Sequence, residues 1–244
     1  MGVSGYVHEV FASFQGEGLH VGRRHVFVRM GGCSLRCRFC DTPNALVRAA
    51  TGTIVLPDGT RSGFANPVDD SWVADRVDEL DPDSGSWVAL TGGEPLEQPA
   101  FLESLVDRLR RPIYLETAGV HAESMLRLST RIDFISFDLK LDSVAREGNR
   151  QEAHRAFLEA SRGVPRMAKI VVNAEADLSE IAEYARILVE EDPSIPVVLQ
   201  PETPRQGGSP RVPRAILDGA YAVLAKWMRE VRVIPQMHRF LDIP

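Results

Sequence analysis

The sequence predicts an α/β fold in which a parallel sheet forms a partial barrel of six strand–helix units. Short, nearly continuous apolar runs, typical of strands covered on both faces, alternate with segments whose apolar residues recur at helical spacing. Such alternation is typical of a parallel sheet with helices outside it. The strand-like runs are residues 26–30, 87–90, 113–115, 134–137, 169–172 and 197–199, with a further strand possible at 231–234. The helical segments are 101–109, 178–188 and 216–227.

Chain length favours a partial barrel over a closed one. A full eight-unit barrel typically takes about 250 residues, whereas this chain has 244 residues and leaves 1–25 and 46–70 outside the alternation. Residues 47–70 are expected to form a small surface insertion, a hairpin around the turn Pro57-Asp58-Gly59. Since no repeat or linker is evident, one domain spanning 1–244 is predicted.

Composition excludes several classes of protein. Hydrophobic residues make up 44% and charged residues 25%, which excludes a disordered chain, collagen and a coiled-coil rod. The net charge is −6 without a long basic stripe, so no nucleic-acid partner is expected. No apolar run approaches the roughly 18 residues of a membrane helix, and residues 1–10 lack a signal pattern. We therefore expect a cytoplasmic protein that acts on a small molecule, without a membrane partner.

The three cysteines lie within eight residues: Cys33, Cys37 and Cys40, in the spacing C-x3-C-x2-C. An odd, clustered set excludes a secretory disulfide framework and indicates a metal site in a reducing compartment. A structural zinc site needs four protein ligands, and there is no fourth cysteine. A four-iron cluster with one iron open to a small molecule is favoured. Zinc completed by a distant ligand, and unliganded thiols, remain alternatives.

Polar residues follow each predicted strand. In parallel α/β folds the chemistry collects at the carboxyl ends of the strands, so these residues are expected to share one site. They are residues 31–33, 91–95, 116–119, 138–140, Asn173 and 200–202.

Two motifs resemble those of the radical S-adenosylmethionine (SAM) superfamily. The cysteine motif has the aromatic residue Phe39 before its last cysteine, and Gly-Gly-Glu-Pro at 92–95 is similar to that superfamily's methionine-binding motif. Within the superfamily, Phe-Gln-Gly-Glu-Gly at 14–18, Arg29, Cys-Asp-Thr at 40–42 and the segment 236–240 resemble the 7-carboxy-7-deazaguanine synthase family. The chain departs from many members at Asp138-Leu139-Lys140, where they carry Ser-Pro-Lys.

This resemblance implies a radical SAM barrel and a carbon–nitrogen lyase of queuosine-type 7-deazapurine biosynthesis. A [4Fe-4S] cluster on the three cysteines would pass an electron to SAM, and the resulting adenosyl radical would take hydrogen from 6-carboxy-5,6,7,8-tetrahydropterin. Ring contraction and loss of ammonia then give 7-carboxy-7-deazaguanine, and SAM is regenerated. The resemblance also implies Mg²⁺, an electron donor such as flavodoxin or ferredoxin, and a homodimer. No catalytic residue is expected beyond the cluster and the cofactor.

The resemblance assigns expected roles to individual residues. Thr42 would bind Mg²⁺. Residues expected to bind SAM are Phe39, Cys40, Asp41, Gly93, Glu94, Asp138, Lys140, Gln200, Pro201, Glu202 and Thr203. Residues expected to bind the pterin are Phe14, Gln15, Gly16, Arg29, Thr91, His238 and, through its α-carboxylate, the terminal Pro244.

Simpler alternatives stay open. Arg29 could pair with Glu17 or Glu94, and Glu116 with an arginine, in purely structural contacts. At the level of function the rivals are an activase that installs a glycyl radical on a partner enzyme, and a non-enzymatic zinc-binding module. Turnover of the tetrahydropterin excludes the first rival, and metal analysis of anaerobically purified protein excludes the second.

Overall fold

The computed structural model describes residues 2–82, 85–204, 208–210 and 212–243. These residues contain twelve strands and eight α-helices. The strands are β1 (Ser4–Gly5), β2 (Val7–Phe14), β3 (Arg24–Met30), β4 (Thr51–Val55), β5 (Arg61–Ala65), β6 (Val68–Asp69), β7 (Trp87–Gly92), β8 (Ile113–Thr117), β9 (Phe134–Asp138), β10 (Arg166–Val172), β11 (Val197–Pro201) and β12 (Val231–Val233). The helices are α1 (Asp70–Leu80), α2 (Pro99–Val106), α3 (Ala122–Leu128), α4 (Asp142–Ala145), α5 (Gln151–Ala160), α6 (Leu178–Glu191), α7 (Arg214–Leu224) and α8 (Met237–Leu241).

Ten of the strands form one open sheet in the order β12-β11-β10-β9-β8-β7-β3-β2-β4-β5. From β3 through β12 all neighbours are parallel. Helices occupy the crossovers from β7 onward, since parallel neighbours need a long connection. The predicted α/β class and partial barrel are confirmed, and every predicted strand-like run lies within one of these parallel strands apart from the end of 231–234.

The N-terminal edge differs from a simple strand–helix repeat. Strand β2 pairs antiparallel with β3, and β4 pairs parallel with the free side of β2. Strands β4 and β5 form the hairpin expected in 47–70, and Asp58 accepts a hydrogen bond from the backbone N–H of Thr60 (2.8 Å) in its turn. Because β2 offers an edge to β4, this hairpin extends the main sheet rather than standing apart from it.

The outer face of the sheet packs against the helices, and its inner face holds a smaller core. On α2, Phe101, Leu102 and Leu105 are buried, as the helical period requires. The inner face carries the stacked rings of Phe11 and Phe27, whose centroids lie 4.9 Å apart. None of the described helices is long and apolar enough to cross a membrane.

The inner face is closed at its amino-terminal end by two buried histidines. His20 Nδ1 lies 3.4 Å from His25 Nε2, and Arg23 Nη1 lies 3.2 Å from His20 Nε2. Because an arginine only donates, His20 Nε2 accepts that bond, and His20 Nδ1–H therefore donates to His25. Burial lowers the pKa of His20 to about 4 and that of His25 to about 3, so both are neutral near pH 7.

Candidate functional site

The carboxyl ends of the parallel strands surround one cleft of about 1320 Å³, counting the space at its open mouth. The strand register places residues of the cleft wall side by side. Arg29 on β3 is paired with Thr91 on β7, and Asp138 on β9 is paired with Lys169 on β10. Of the residues predicted for the site, those that line the cleft are Phe14, Gln15, Gly16, Arg29, Cys33, Cys37, Phe39, Cys40, Asp41, Thr42, Thr91, Gly93, Asp138, Lys140, Gln200, Glu202, Thr203 and His238.

Three half-buried, unbridged cysteines form one wall of the cleft. The loop turns tightly, with the backbone N–H of Cys40 donating to the carbonyl of Cys37 at 3.0 Å. Burial raises the pKa of Cys33 to about 12 and also raises that of Cys37, so these thiols are neutral unless a cation stabilises the thiolates. Three sulfur donors on one loop facing a cleft fit a cluster that leaves one iron open.

The Gly-Gly-Glu-Pro motif packs directly on the cysteine loop. Gly93 donates its N–H to Met30 O (2.9 Å), and Glu94 donates its N–H to Gly32 O (2.8 Å). A Cβ on Gly93 would collide with the carbonyl of Gly32, so this close approach requires glycine. The motif thus places the partly exposed backbone of its two glycines beside the cysteine loop.

Glu94 does not line the cleft, in contrast to its predicted contact with SAM. Its carboxylate accepts hydrogen bonds from Thr117 Oγ1 (2.8 Å) and from the backbone N–H of Ala118 (2.7 Å). These bonds tie the end of β7 to the end of β8. Pro201 is also absent from the lining, whereas its neighbours Gln200 and Glu202 belong to it.

A buried charge cluster lies between the end of β9 and the middle of β10. Asp138 Oδ2 lies 2.9 Å from Lys140 Nζ and 3.5 Å from Lys169 Nζ. Burial opposes ionisation of Asp138, but the two lysines outweigh it and hold its pKa below the usual value. Lys140 Nζ lies 4.8 Å from the centroid of the Phe39 ring, beside the last cysteine.

Three polar atoms on this wall have no hydrogen-bond partner among the described residues. They are Asp138 Oδ1, Gln200 Oε1 and Thr203 Oγ1. Buried polar groups are normally paired, so these atoms indicate a bound molecule that donates hydrogen bonds. The hydroxyl and amino groups of a nucleoside such as the one in SAM have that chemistry.

A second group of hydrogen bonds lies on the side of the cleft nearer residues 15–18, which follow β2 and are called the N-terminal loop. Glu116 accepts from Gln15 Nε2 (2.6 Å) and from Thr91 Oγ1 (2.6 Å). Gln15 Oε1 in turn accepts the N–H of Glu17 at 3.0 Å. Glu116 therefore orients two side chains predicted to contact the pterin, rather than pairing with an arginine.

Arg29 pairs with neither Glu17 nor Glu94. Its Nη1 donates to Thr42 Oγ1 (3.3 Å), and its Nε lies 3.7 Å from Glu9 Oε2. Thr42 Oγ1 donates to Asp41 Oδ1 at 3.0 Å. The guanidinium keeps further donors for an anion, because Nη1 alone hydrogen-bonds to a described residue.

Among the lining residues that were not predicted as site residues, Glu17, Lys169 and Gln236 form one hydrogen-bonded group. Lys169 Nζ lies 2.5 Å from Glu17 Oε2, and Gln236 Nε2 donates to Glu17 Oε1 (2.8 Å) and to Asp41 Oδ2 (2.9 Å). The signal for Lys169 was its place inside an apolar strand, where a charge is costly unless it is paired.

The C-terminal segment 236–243 closes one side of the cleft. Met237 donates its N–H to Gly16 O (2.8 Å), and a Cβ on Gly16 would collide with the ring of His238. The segment therefore packs on the Phe-Gln-Gly-Glu-Gly motif. Pro244, predicted to bind the substrate, lies outside the described residues.

Comparison with known proteins identifies a matching family, related sequences and a solved structure with the same fold. Residues 27–174 match the model of the radical SAM superfamily. The 7-carboxy-7-deazaguanine synthase of Geobacter sulfurreducens is 34% identical, covering 96% of both chains. That of Methanothermobacter thermautotrophicus is 32% identical, also covering 96% of both. The crystal structure of QueE from Escherichia coli has the same fold, with a TM-score of 0.61, 19% identity, and coverage of 96% of this chain and 95% of that one.

Proposed function

Because the chain belongs to the radical SAM superfamily and, within it, to the 7-carboxy-7-deazaguanine synthase family, we propose that its cleft carries out that family's reaction. The enzyme is a carbon–nitrogen lyase that converts 6-carboxy-5,6,7,8-tetrahydropterin to 7-carboxy-7-deazaguanine with loss of ammonia, in queuosine-type biosynthesis. The proposal rests on one observation: the same cleft joins the three cysteines to the Gln15–Glu116–Thr91 group.

The cofactor side of the cleft is formed by the cysteine loop and the ends of β7, β9 and β11. When bound, the cluster and SAM supply an organic radical that removes a hydrogen atom from the substrate. Cys33, Cys37 and Cys40 hold the cluster, and the backbone at Gly93 faces the methionine moiety. The free acceptors Asp138 Oδ1 and Gln200 Oε1 receive the nucleoside's donors. Enclosure by the cleft would exclude water from the bound cofactor and substrate.

The substrate side is formed by the N-terminal loop and the C-terminal segment. Arg29 binds the substrate carboxylate, for which a guanidinium offers two parallel donors. Gln15 and Thr91, oriented by Glu116, contact the pterin ring. His238 completes this side.

Turnover by reconstituted protein tests the function. Anaerobically purified chain should bind about four irons and four sulfides, and should form product from the tetrahydropterin with SAM and dithionite. Many products should form for each 5′-deoxyadenosine released. Cys37→Ala should lose both iron and turnover. Stoichiometric zinc without iron uptake would favour the non-enzymatic zinc-binding module. Failure to form product would leave the glycyl-radical activase as the alternative function.

Magnesium is proposed at Thr42, where Thr42 Oγ1 and the Asp41 carboxylate present adjacent oxygens. Magnesium prefers oxygen ligands and often uses one or two protein groups together with substrate and water. Thr42→Val should therefore weaken the dependence of turnover on magnesium. Thr51→Val, an exposed threonine on β4, is the control. Identical magnesium titrations for the two variants would contradict the role.

We also propose a homodimer, a cytoplasmic location and a protein electron donor such as flavodoxin or ferredoxin. Phe240 and Leu241 are 53% and 58% exposed, and a second copy would cover such apolar surface. Three unbridged thiols favour a reducing compartment. Sedimentation velocity of the reconstituted protein tests the dimer.

A further inference from the structure

The hairpin β4–β5 is linked to the cleft through one side chain, that of Arg61. Arg61 is the first residue of β5, and its Nη2 lies 2.5 Å from Glu9 Oε1 on β2. The other oxygen of the same carboxylate, Glu9 Oε2, lies 3.7 Å from Nε of Arg29, the residue proposed to bind the substrate carboxylate. A single carboxylate therefore stands between an arginine of the hairpin and an arginine of the cleft.

An irregularity in β2 brings Glu9 to this position. Glu9 is paired with Arg29 on β3, whereas His8 has no partner in the ladder, so the strand has a β-bulge at His8. Val7 and Val10 both pack in the main core, although residues three apart on a regular strand point to opposite faces. Bulges turn side chains in this way, and this one directs Glu9 toward Arg29.

The two ion pairs of Glu9 are unequal. Arg61 hydrogen-bonds to Glu9, whereas Arg29 Nε is buried and has no hydrogen-bond partner among the described residues. Arg29 is held on its other sides by Thr42 Oγ1, which accepts from Nη1 at 3.3 Å, and by the ring of Phe11, whose centroid lies 5.6 Å from Cζ. Since an unpaired buried donor is costly, a free carboxylate would close on Nε. Arg61 therefore holds Glu9 short of that bond.

This separation matters for the recognition of an anionic substrate. A carboxylate binds a guanidinium best through two parallel N–H bonds, and the positive charge contributes much of the attraction. If Glu9 bonded fully to Arg29, it would occupy donors of the guanidinium and offset its charge. The substrate carboxylate would then meet a second carboxylate instead of a free cation.

We propose that Arg61 is a positioning residue that, by binding Glu9, keeps Arg29 available for the carboxylate of the pterin. The inference rests on the proposed function, which assigns that carboxylate to Arg29. Arg61 itself is absent from the lining of the cleft, so it acts through Glu9 and makes no contact with substrate. The hairpin β4–β5 thus contributes to the selection of pterins that carry a carboxylate.

Two non-reacting pterins serve as probes for this role. 6-Carboxypterin has the carboxylate and 6-methylpterin lacks it. Quenching of pterin fluorescence measures both affinities on the reconstituted protein with S-adenosylhomocysteine present. Arg61→Gln should bind 6-carboxypterin at least about fivefold more weakly, because Glu9 then pairs with Arg29, and should bind 6-methylpterin as the wild type does. The KM for the tetrahydropterin should rise by the same factor, with kcat unchanged.

Removal of Glu9 separates this role from a merely structural one. Glu9→Gln should bind 6-carboxypterin at least as tightly as the wild type, and Glu9→Gln/Arg61→Gln should regain the affinity that Arg61→Gln loses, because no carboxylate is left to compete. A structural pair would instead weaken binding in every variant. Arg61→Lys, which keeps the charge, should retain most of the affinity. The control is Arg214→Gln, which removes an exposed arginine on α7 that pairs with Asp218.

Three results would overturn the inference. The first is a wild-type preference for 6-carboxypterin over 6-methylpterin that persists in Arg61→Gln. The second is a double variant that stays as weak as Arg61→Gln, and the third is a wild type without any preference for the carboxylate. The proposed function fails in a different way: the wild type, given SAM and dithionite, would form no product from the tetrahydropterin, whereas the ratio of pterin affinities needs no turnover.

Discussion

At the scale of single residues, Asp138 is a carboxylate at the end of β9 with about nine-tenths of its side chain buried. It is ionised, because Lys140 and Lys169 hold its pKa below the usual value. Its Oδ1 remains without a partner among the described residues. The carboxylate thus keeps two lysines in place and leaves one strong acceptor facing the cleft.

Asp138→Asn should therefore weaken nucleoside binding. The variant keeps the shape but loses the charge, and hydrogen bonds to charged groups contribute about 1.5–3 kcal/mol. S-Adenosylhomocysteine should bind about tenfold more weakly or worse, measured by calorimetry on the reconstituted protein. Asp218→Asn, an exposed aspartate on α7, is the control. Unchanged affinity in Asp138→Asn would show that Oδ1 does not contact the nucleoside.

The side-chain pairings that only the structure shows share a physical reason for being missed. Glu17 pairs with Lys169 and Gln236, which lie 152 and 219 positions further along the chain. Pairings between residues so far apart along the chain leave no local pattern in the sequence. The cysteines, Arg29 and Thr91 were predictable because each lies in a motif or at the end of an apolar run. Glu94 lies in a motif as well, yet its carboxylate serves the backbone of β8 instead of the cleft.

At the scale of elements, the position of a strand in the sheet explains whether it can be predicted from the sequence. The parallel strands are covered on both faces and therefore appear as continuous apolar runs. In strand β2 the buried Val7 and Val10 are separated by the partly exposed His8 and Glu9, so the sequence shows neither a continuous apolar run nor a strict alternation. The hairpin β4–β5 was predictable from its turn, but its attachment to β2 was not, because edge pairing depends on distant segments.

The packing of the C-terminal segment on Gly16 gives a prediction at this scale. Gly16→Ala introduces a Cβ that would collide with His238, so the segment 236–243 must move. Misplacing a substrate-contacting group by about 1 Å can cost about a hundredfold in rate. We therefore expect an increase of at least about tenfold in the KM for the tetrahydropterin, with iron content and binding of S-adenosylhomocysteine unchanged. Steady-state kinetics measure the KM.

Gly63→Ala on the exposed strand β5 is the matched control. A Cβ at that position finds its nearest atom 3.8 Å away, which is an ordinary contact. A KM unchanged in Gly16→Ala would mean that the segment does not contact substrate. A parallel loss of S-adenosylhomocysteine binding would mean that the substitution disturbs the whole cleft.

At the scale of the whole molecule, three buried histidines link folding to pH. His154 lies behind the cleft, where its Nε2 donates to the carbonyl of Ala118 at 3.2 Å and burial lowers its pKa to about 4. His20 and His25 close the other end of the inner face, with pKa values of about 4 and 3 for the same reason. All three are neutral in the folded protein at pH values where an unfolded chain would protonate them.

The free energy of unfolding should therefore fall as the pH drops from about 6.5 toward 4, because in that range the unfolded chain binds more protons than the folded chain. The stabilisation is complete above pH 6.5, and a shift of one pKa unit corresponds to about 1.4 kcal/mol, so His154 alone accounts for up to about 3 kcal/mol. Urea unfolding of the iron-free protein between pH 7.5 and 4.5 measures the slope. In His154→Gln the slope should decrease by about one proton relative to the wild type, since glutamine does not titrate while the carboxylates of the cleft are unchanged. Equal slopes in the two proteins would show that His154 is protonated in the folded state as readily as in the unfolded one.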